Sequence, residues 1–197
     1  MNEHSFTVTK TDAILDSALE LFESRGFGAT PVPMLAEQAG VATGTIYRYF
    51  PGKMGVVNAL YQRWKTALAT ALLDGLRTDG PAAPTFAEIW HRLCRFVLEH
   101  QAGFAFLENH HHQPYLDDQS RHVAHQLDAA MWAVVAEWQR AGVVRSGDPA
   151  LLVAQVYGGL AGVVRSLRDR GIDLPTDLAD QTLEGAWNLL ATSRSTP

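Results

Sequence analysis

Residues 30–50 read Thr-Pro-Val-Pro-Met-Leu-Ala-Glu-Gln-Ala-Gly-Val-Ala-Thr-Gly-Thr-Ile-Tyr-Arg-Tyr-Phe. Two short helical patterns meet here at a glycine turn, Ala39-Gly40-Val41. Pro33 disfavours helical geometry at Val32, so the first helix is expected to start at Pro33 itself. It runs to Ala39, and Gly40 stops it. The second covers Thr43–Phe50 and ends at Pro51-Gly52. Leu35, Ala36, Ala39, Val41, Ile46 and Phe50 form an inward face, while Thr43, Gly44, Thr45, Tyr47, Arg48 and Tyr49 face outward. A short second helix framed this way can lie in a major groove with its N-terminal residues on base edges. Small hydroxyl and glycine residues let the backbone approach closely. Tyr47 and Lys53 suit phosphate contact, and Arg48 suits a guanine edge.

Working outward, the flanking sequence is helical almost throughout. Upstream, Ile14, Ala18, Leu21 and Phe22 recur at helical spacing, Thr9 and Asp12 form a capping pair, and Gly26 and Gly28 end the pattern. Downstream, Val56, Val57, Leu60, Tyr61, Trp64, Leu68 and Leu72 make a long helix, which fades before the loop at 78–84. Thr85 is expected to cap the next helix, ending near Gln101, and Gly103 to interrupt before a short helix over Phe104–His112. Longer patterns follow over Ser120–Ala141 and over 149–170, the latter capped by Asp148 with Pro149 at its first position. Pro175-Thr176-Asp177 opens the last helix, ending near Ala191. The reading is all-α, about nine helices in two lobes, near 1–52 and 53–197.

Composition narrows the class. The chain has 197 residues, 47% hydrophobic and 19% charged, with a formal net charge of -5. Residues 1–65 carry equal numbers of basic and acidic side chains, so the whole negative balance falls on the remainder. The single cysteine, Cys94, excludes a disulfide framework and a cysteine-based zinc module. No unbroken apolar run reaches transmembrane length, and Met1–Lys10 lacks the apolar core of a secretory signal. A cytoplasmic protein with no membrane partner is therefore expected.

At the helix-turn-helix the chain resembles the TetR family of transcriptional regulators. The matching residues are 18–22 (Ala-Leu-Glu-Leu-Phe), 26–30 (Gly-Phe-Gly-Ala-Thr), 35–41 (Leu-Ala-Glu-Gln-Ala-Gly-Val), 44–50 (Gly-Thr-Ile-Tyr-Arg-Tyr-Phe) and Lys53. Order, spacing and residue type agree over 12–57; beyond residue 60 the likeness is architectural. The resemblance implies an N-terminal three-helix DNA-binding domain and a C-terminal helical ligand-binding and dimerisation domain. It places Thr43, Gly44, Thr45 and Arg48 near the bases, and Tyr47, Tyr49 and Lys53 on the backbone of a double-stranded operator. It implies a homodimer, most simply a repressor of a palindromic site, with recognition helices roughly 34–36 Å apart.

Ala154, Gly158 and Gly162 recur every fourth residue, which lets another helix approach closely. With Leu183, Trp187 and Leu190 of the last helix they form the expected dimer seam; packing within one chain is the plainer alternative. The middle helices are rich in aromatics, and the resemblance implies a cavity there for a small, largely apolar effector. Trp90, Phe106, His111, Tyr115 and Trp132 are the expected lining. His110, His111, His112, His122 and His125, with Glu108, Asp117 and Asp118, raise a rival reading: a helical metal- or small-molecule-binding protein, or a metal-dependent enzyme, without DNA binding. No carboxylate stands at a diagnostic spacing, so no metal or other cofactor is expected, and no catalytic constellation is visible.

Overall fold

The computed structural model describes residues 9–110 and 114–192. Among them are nine helices: α1 Lys10–Arg25, α2 Val32–Gln38, α3 Thr43–Tyr49, α4 Gly52–Leu73, α5 Ala82–Glu99, α6 Gln101–His110, α7 Asp118–Arg140, α8 Pro149–Asp169 and α9 Leu178–Asn188. The one β-type pairing among the described residues is an isolated antiparallel bridge, Val144 to Ala191.

Contacts divide the chain into two compact units. One takes the chain through Lys65 plus 102–121; the other takes 66–101 and 122 onward. This differs from a division at 52. The first turns of α4 supply Val56, Val57, Leu60 and Tyr61 to the N-terminal core, each 1% exposed or less, so that unit cannot end before α4.

The N-terminal unit begins with the expected capping box. The Thr9 hydroxyl oxygen accepts the Asp12 N–H at 3.1 Å, and the Asp12 carboxylate accepts the Thr9 N–H at 3.3 Å. The Thr9 hydroxyl also donates to that carboxylate at 2.6 Å, and this bond, followed by the one from the Thr9 N–H, holds the Asp12 carboxyl below its usual range. α2 starts one residue earlier than Pro33 dictates: Pro31 is the cap, at φ -75° and ψ 156°, Val32 is already helical and Pro33 sits in the first turn. A first-turn proline forfeits only an N–H that has no partner within the helix. α6 likewise runs through Gly103. There the missing side chain is a packing device, since a Cβ would lie 2.5 Å from the Trp64 indole.

Three features of the other unit depart from expectation. α5 is capped by Pro81, and Thr85 lies inside the helix with its hydroxyl donating to the Pro81 carbonyl at 3.0 Å. α9 stops at Asn188, because the chain then turns to pair with the strand-like segment at Val144. α8, capped by Asp148 as expected, is by length and composition apolar enough to cross a membrane. Its Leu152, Val156, Leu160, Ala161 and Val164 nonetheless form one buried stripe, as in an amphipathic helix laid on a core.

Candidate nucleic-acid interface

α3 owes its position to what lies behind it. Ile46 is fully buried and Phe50 is 7% exposed, so the helix is pinned along one side, chiefly against α2. Gly40, at φ 65°, makes the turn that folds α3 onto α2. The Val41 N–H reaches back to the Ala36 carbonyl at 2.9 Å. Fixing the buried side fixes the other. Thr43, Gly44, Tyr47, Arg48 and Tyr49 are exposed, and Thr45 is half-buried. Tyr47 is 60% exposed, large for an aromatic ring. The Arg48 guanidinium lies 5.3 Å from the Tyr49 ring centroid and donates to the Tyr49 hydroxyl at 3.4 Å. Seven residues rise about 10 Å, a length that suits a groove about 12 Å wide.

Lys53 behaves differently from its neighbours. Its ammonium donates to the Phe27 carbonyl at 2.7 Å and stands 4.3 Å from the Phe27 ring centroid. It therefore ties the start of α4 to the loop after α1. Thr30, buried completely, closes that loop by donating to the Gly26 carbonyl at 2.9 Å.

The sequence reading missed the most elaborate polar feature of this unit. Asn58, 5% exposed, lies among the apolar residues of α4. Its amide donates to the Met54 and Tyr115 carbonyls, both at 2.9 Å. Its carbonyl oxygen accepts the Asp117 N–H at 2.8 Å and the Ser120 hydroxyl at 2.7 Å. All four bonding positions of the amide are used, and they fasten α4 to the segment that opens α7. A lone asparagine in an apolar stripe was the available signal, since a buried amide must find partners.

The expected effector lining separates between the units. Trp90 lines an apolar cavity of about 90 Å³ with Phe86, Leu93, Met131, Trp138, Tyr157 and other apolar residues of α4, α5, α7 and α8. Phe106 and Tyr115 do not; they belong to the N-terminal unit's aromatic cluster. There the His110 ring lies 4.3 Å from Phe106 and shares a short hydrogen bond with the Tyr115 hydroxyl, while Tyr115 lies 4.7 Å from Phe27. Burial pushes the His110 pKa down. Trp132 packs against His125 at 5.7 Å, and His111 lies outside the described residues. Among the described residues no three His, Cys, Asp or Glu side chains come together as a metal would require. Cys94 is buried, and burial pushes its thiol up to about 11, so it stays a protonated core residue.

The expected seam divides as well. Ala154, Gly158 and Gly162 are exposed, and an added Cβ at either glycine would meet nothing within 4 Å. Leu151, 65% exposed, and Val163, 39% exposed, extend that apolar face. Trp187 and Leu190, by contrast, are each only 2% exposed. They are core residues of the protomer: α9 turns Trp187 to within 5.2 Å of Phe86 and 6.3 Å of Trp138, and Leu190, just past the end of α9, lines the same cavity as Phe86 and Trp138. Leu183 is half-buried between these extremes.

Comparison with known proteins agrees with this geometry. The family model described as bacterial regulatory proteins, tetR family, matches residues 14–60, and a tetracyclin repressor-like C-terminal domain matches 61–192. The fatty acid metabolism regulator protein of Bacillus subtilis is 41% identical over 49 residues, 25% of each chain. The HTH-type transcriptional repressor KstR2 of Mycolicibacterium smegmatis is 29% identical over 98 residues, 46% of this chain and 48% of that one. The chain thus spans between a quarter and a half of the length of these two relatives. A TetR family transcription regulator from Marinobacter aquaeolei shares the fold at a TM-score of 0.79, with 20% identity over 92% of this chain and 95% of that one.

Proposed function

Because the chain belongs to the TetR family of bacterial regulatory proteins, we propose that it is a cytoplasmic, homodimeric transcriptional repressor released from a palindromic operator by a small, largely apolar effector. The observation that carries this reading is the exposed face of α3. Thr43, Tyr47, Arg48 and Tyr49 face outward, opposite the buried Ile46. In the proposed complex Thr43, Gly44, Thr45 and Arg48 meet base edges, and Tyr47, Tyr49 and Lys53 meet phosphates. The Lys53 ammonium keeps Phe27 as a partner and still has donors for a phosphate. Two copies, joined through the open face of α8, present two such helices to successive turns of the duplex.

Release follows from the course of α4. It begins in one compact unit and ends in the other without a break. An effector held among Leu72, Trp90, Met131 and Trp138 bears on its far end. The Asn58 bonds carry any displacement of its near end to the start of α7. The effector needs only to bind the released state better, by tenfold in population for each 1.4 kcal/mol of preference. No catalytic step enters this scheme.

The test is a gel shift of the full chain on its own upstream region across a salt titration. Neutralised phosphates give a steep negative slope of log affinity against log salt. Absence of binding, or binding indifferent to salt, overturns the proposal.

A further inference from the structure

Two side chains on the exposed face of α3 hold one another. Arg48 and Tyr49 are successive residues, and successive side chains on a helix do not face each other, so the chain does not impose their meeting. The Arg48 guanidinium nevertheless stands over the Tyr49 ring, 5.3 Å from its centroid, and its Nη2 donates to the Tyr49 hydroxyl at 3.4 Å. Among the described residues no ion pair includes Arg48. A carboxylate in that place would neutralise the guanidinium and compete with DNA for it. The phenol is neutral, so it restrains the group and leaves its charge intact. Enough donors remain as well. A guanidinium carries five N–H groups; one goes to the hydroxyl, and a guanine edge takes two. The hydroxyl, having accepted from Arg48, keeps its own proton for a phosphate.

We propose that Tyr49 is a specificity-determining positioning residue: it touches no base, but its ring and hydroxyl hold the Arg48 guanidinium in the posture that reads one. This rests on the reading of the chain as a DNA-binding regulator, and it gives Tyr49 a second duty beside its phosphate contact. An exposed arginine without a partner loses side-chain entropy when it docks. Tyr49 takes part of that loss in the free protein, so the correct base edge gains affinity. A loose guanidinium would also swing to a substitute acceptor at a wrong base. A held one cannot follow, and the wrong base keeps its full penalty. Arg48 and Tyr49 thus read one base as a unit, with the contact made by Arg48 and its direction set by Tyr49.

The experiment uses the full chain and competition between a segment of its own upstream DNA and single-base variants of that segment. Arg48→Ala first marks the positions at which preference is lost. At those positions Tyr49→Phe, which keeps the ring, is expected to lower discrimination about threefold, and Tyr49→Leu, which removes ring and hydroxyl, about tenfold. Preference at other positions stays as it was. In the Arg48→Ala background neither substitution changes preference anywhere, as a double-mutant cycle requires of residues that act as one. A second readout needs no DNA. In the free chain the Arg48 Nε–H should be ordered on the nanosecond timescale by relaxation measurements, and Tyr49→Leu should make it mobile. Tyr49 variants that weaken all sequences alike and leave discrimination intact would show a phosphate contact alone and overturn the proposal. So would an equal effect of Tyr49→Phe with and without Arg48, no lost preference in Arg48→Ala, or an Arg48 side chain as mobile in the unmodified chain as in Tyr49→Leu. Binding by the unmodified chain is measured first. If it binds no DNA, the regulatory reading falls and this proposal with it; salt-dependent binding whose discrimination ignores Tyr49 condemns the proposal alone.

Discussion

Two helices turn an unburied face outward, and the faces are chemical opposites. Tyr47 on α3 and Leu151 on α8 are almost equally exposed, at 60% and 65%. Around Tyr47 stand Thr43, Arg48 and Tyr49, every one a hydrogen-bond donor. Around Leu151 and along its helix stand Ala154, Gly158, Gly159, Gly162 and Val163, none of which has a polar side chain, while the exposed Gln155 beside them has its amide oxygen taken by the Arg145 guanidinium. Exposure alone says that a surface is available; the donors say for what. A face of hydroxyls and guanidinium fits a polyanion with patterned acceptors. A face of glycine, alanine and leucine offers such a partner nothing, but it lets a second helix approach closely. Within the protomer, 28% of the residues in the most apolar stretch of α8 are buried, and Leu151 and Val163 are among the apolar side chains left uncovered.

The sharpest way to break this contrast is to put a charge on the α8 face. Gly158→Glu adds a side chain where nothing lies within 4 Å and replaces a poor helix former, so the protomer should fold as before. Two buried carboxylates facing one another should separate the copies. The expected outcome is a halved mass in solution and operator affinity lower by about a hundredfold or more, the loss of bivalent attachment. An unchanged dimer would move the seam to another surface.

The next effect is on the opposite face. Arg48→Ala should cost about 1–3 kcal/mol on the preferred operator and flatten the preference at the base it contacts, measured by competition between operator variants. Lys53→Ala should weaken binding to all sequences alike and reduce the salt slope by about 1. It also removes the donor to the Phe27 carbonyl, so its melting temperature should fall slightly, which Arg48→Ala should not produce. A Lys53→Ala variant that loses sequence preference instead would reverse these roles.

The smallest expected effect concerns pH. Burial lowers the His110 pKa from 6.5. The unfolded chain therefore takes up a proton first as pH falls. The contribution of neutral His110 to stability is complete above about pH 6.5 and is lost as pH falls through its folded value. Thermal melts at pH 7.5 and 5 should show a loss that His110→Phe reduces. The exposed α8 face contains no group that titrates in that range, so the mass in solution should stay constant over it.

The α3 face was legible from sequence because its pattern is local: Gly40, Ile46 and Phe50 lie within a few residues of the side chains they orient. The all-helical fold followed from the same short-range periodicity, and so did the caps at Thr9 and Asp148. What stayed hidden depends on distant partners. Whether Trp187 faces inward depends on Phe86, about a hundred positions earlier, and nothing in the spacing of α9 alone decides it. The grouping of Trp90, Phe106 and Tyr115 failed for the same reason: aromatic residues close in sequence serve different cores. Pro33 reads as the first residue of its helix and Gly103 as an interruption, whereas the first turn of α2 holds the proline at its second position and the Trp64 ring requires the glycine inside α6.

One consequence of α4 bears on anyone who would graft this reading head onto a foreign sensor. The two matched family segments abut between residues 60 and 61, inside a helix that is continuous from Gly52 to Leu73. A chimera joined there splices two half-rods and leaves their rotational phase to chance. One joined at residue 52 discards Val56, Val57 and Leu60, the recipient's only substitute being whatever its own helix happens to present. The compact unit to carry over is the chain through Lys65 together with residues 102–121, and hybrid regulators that keep both segments should fold where shorter grafts do not.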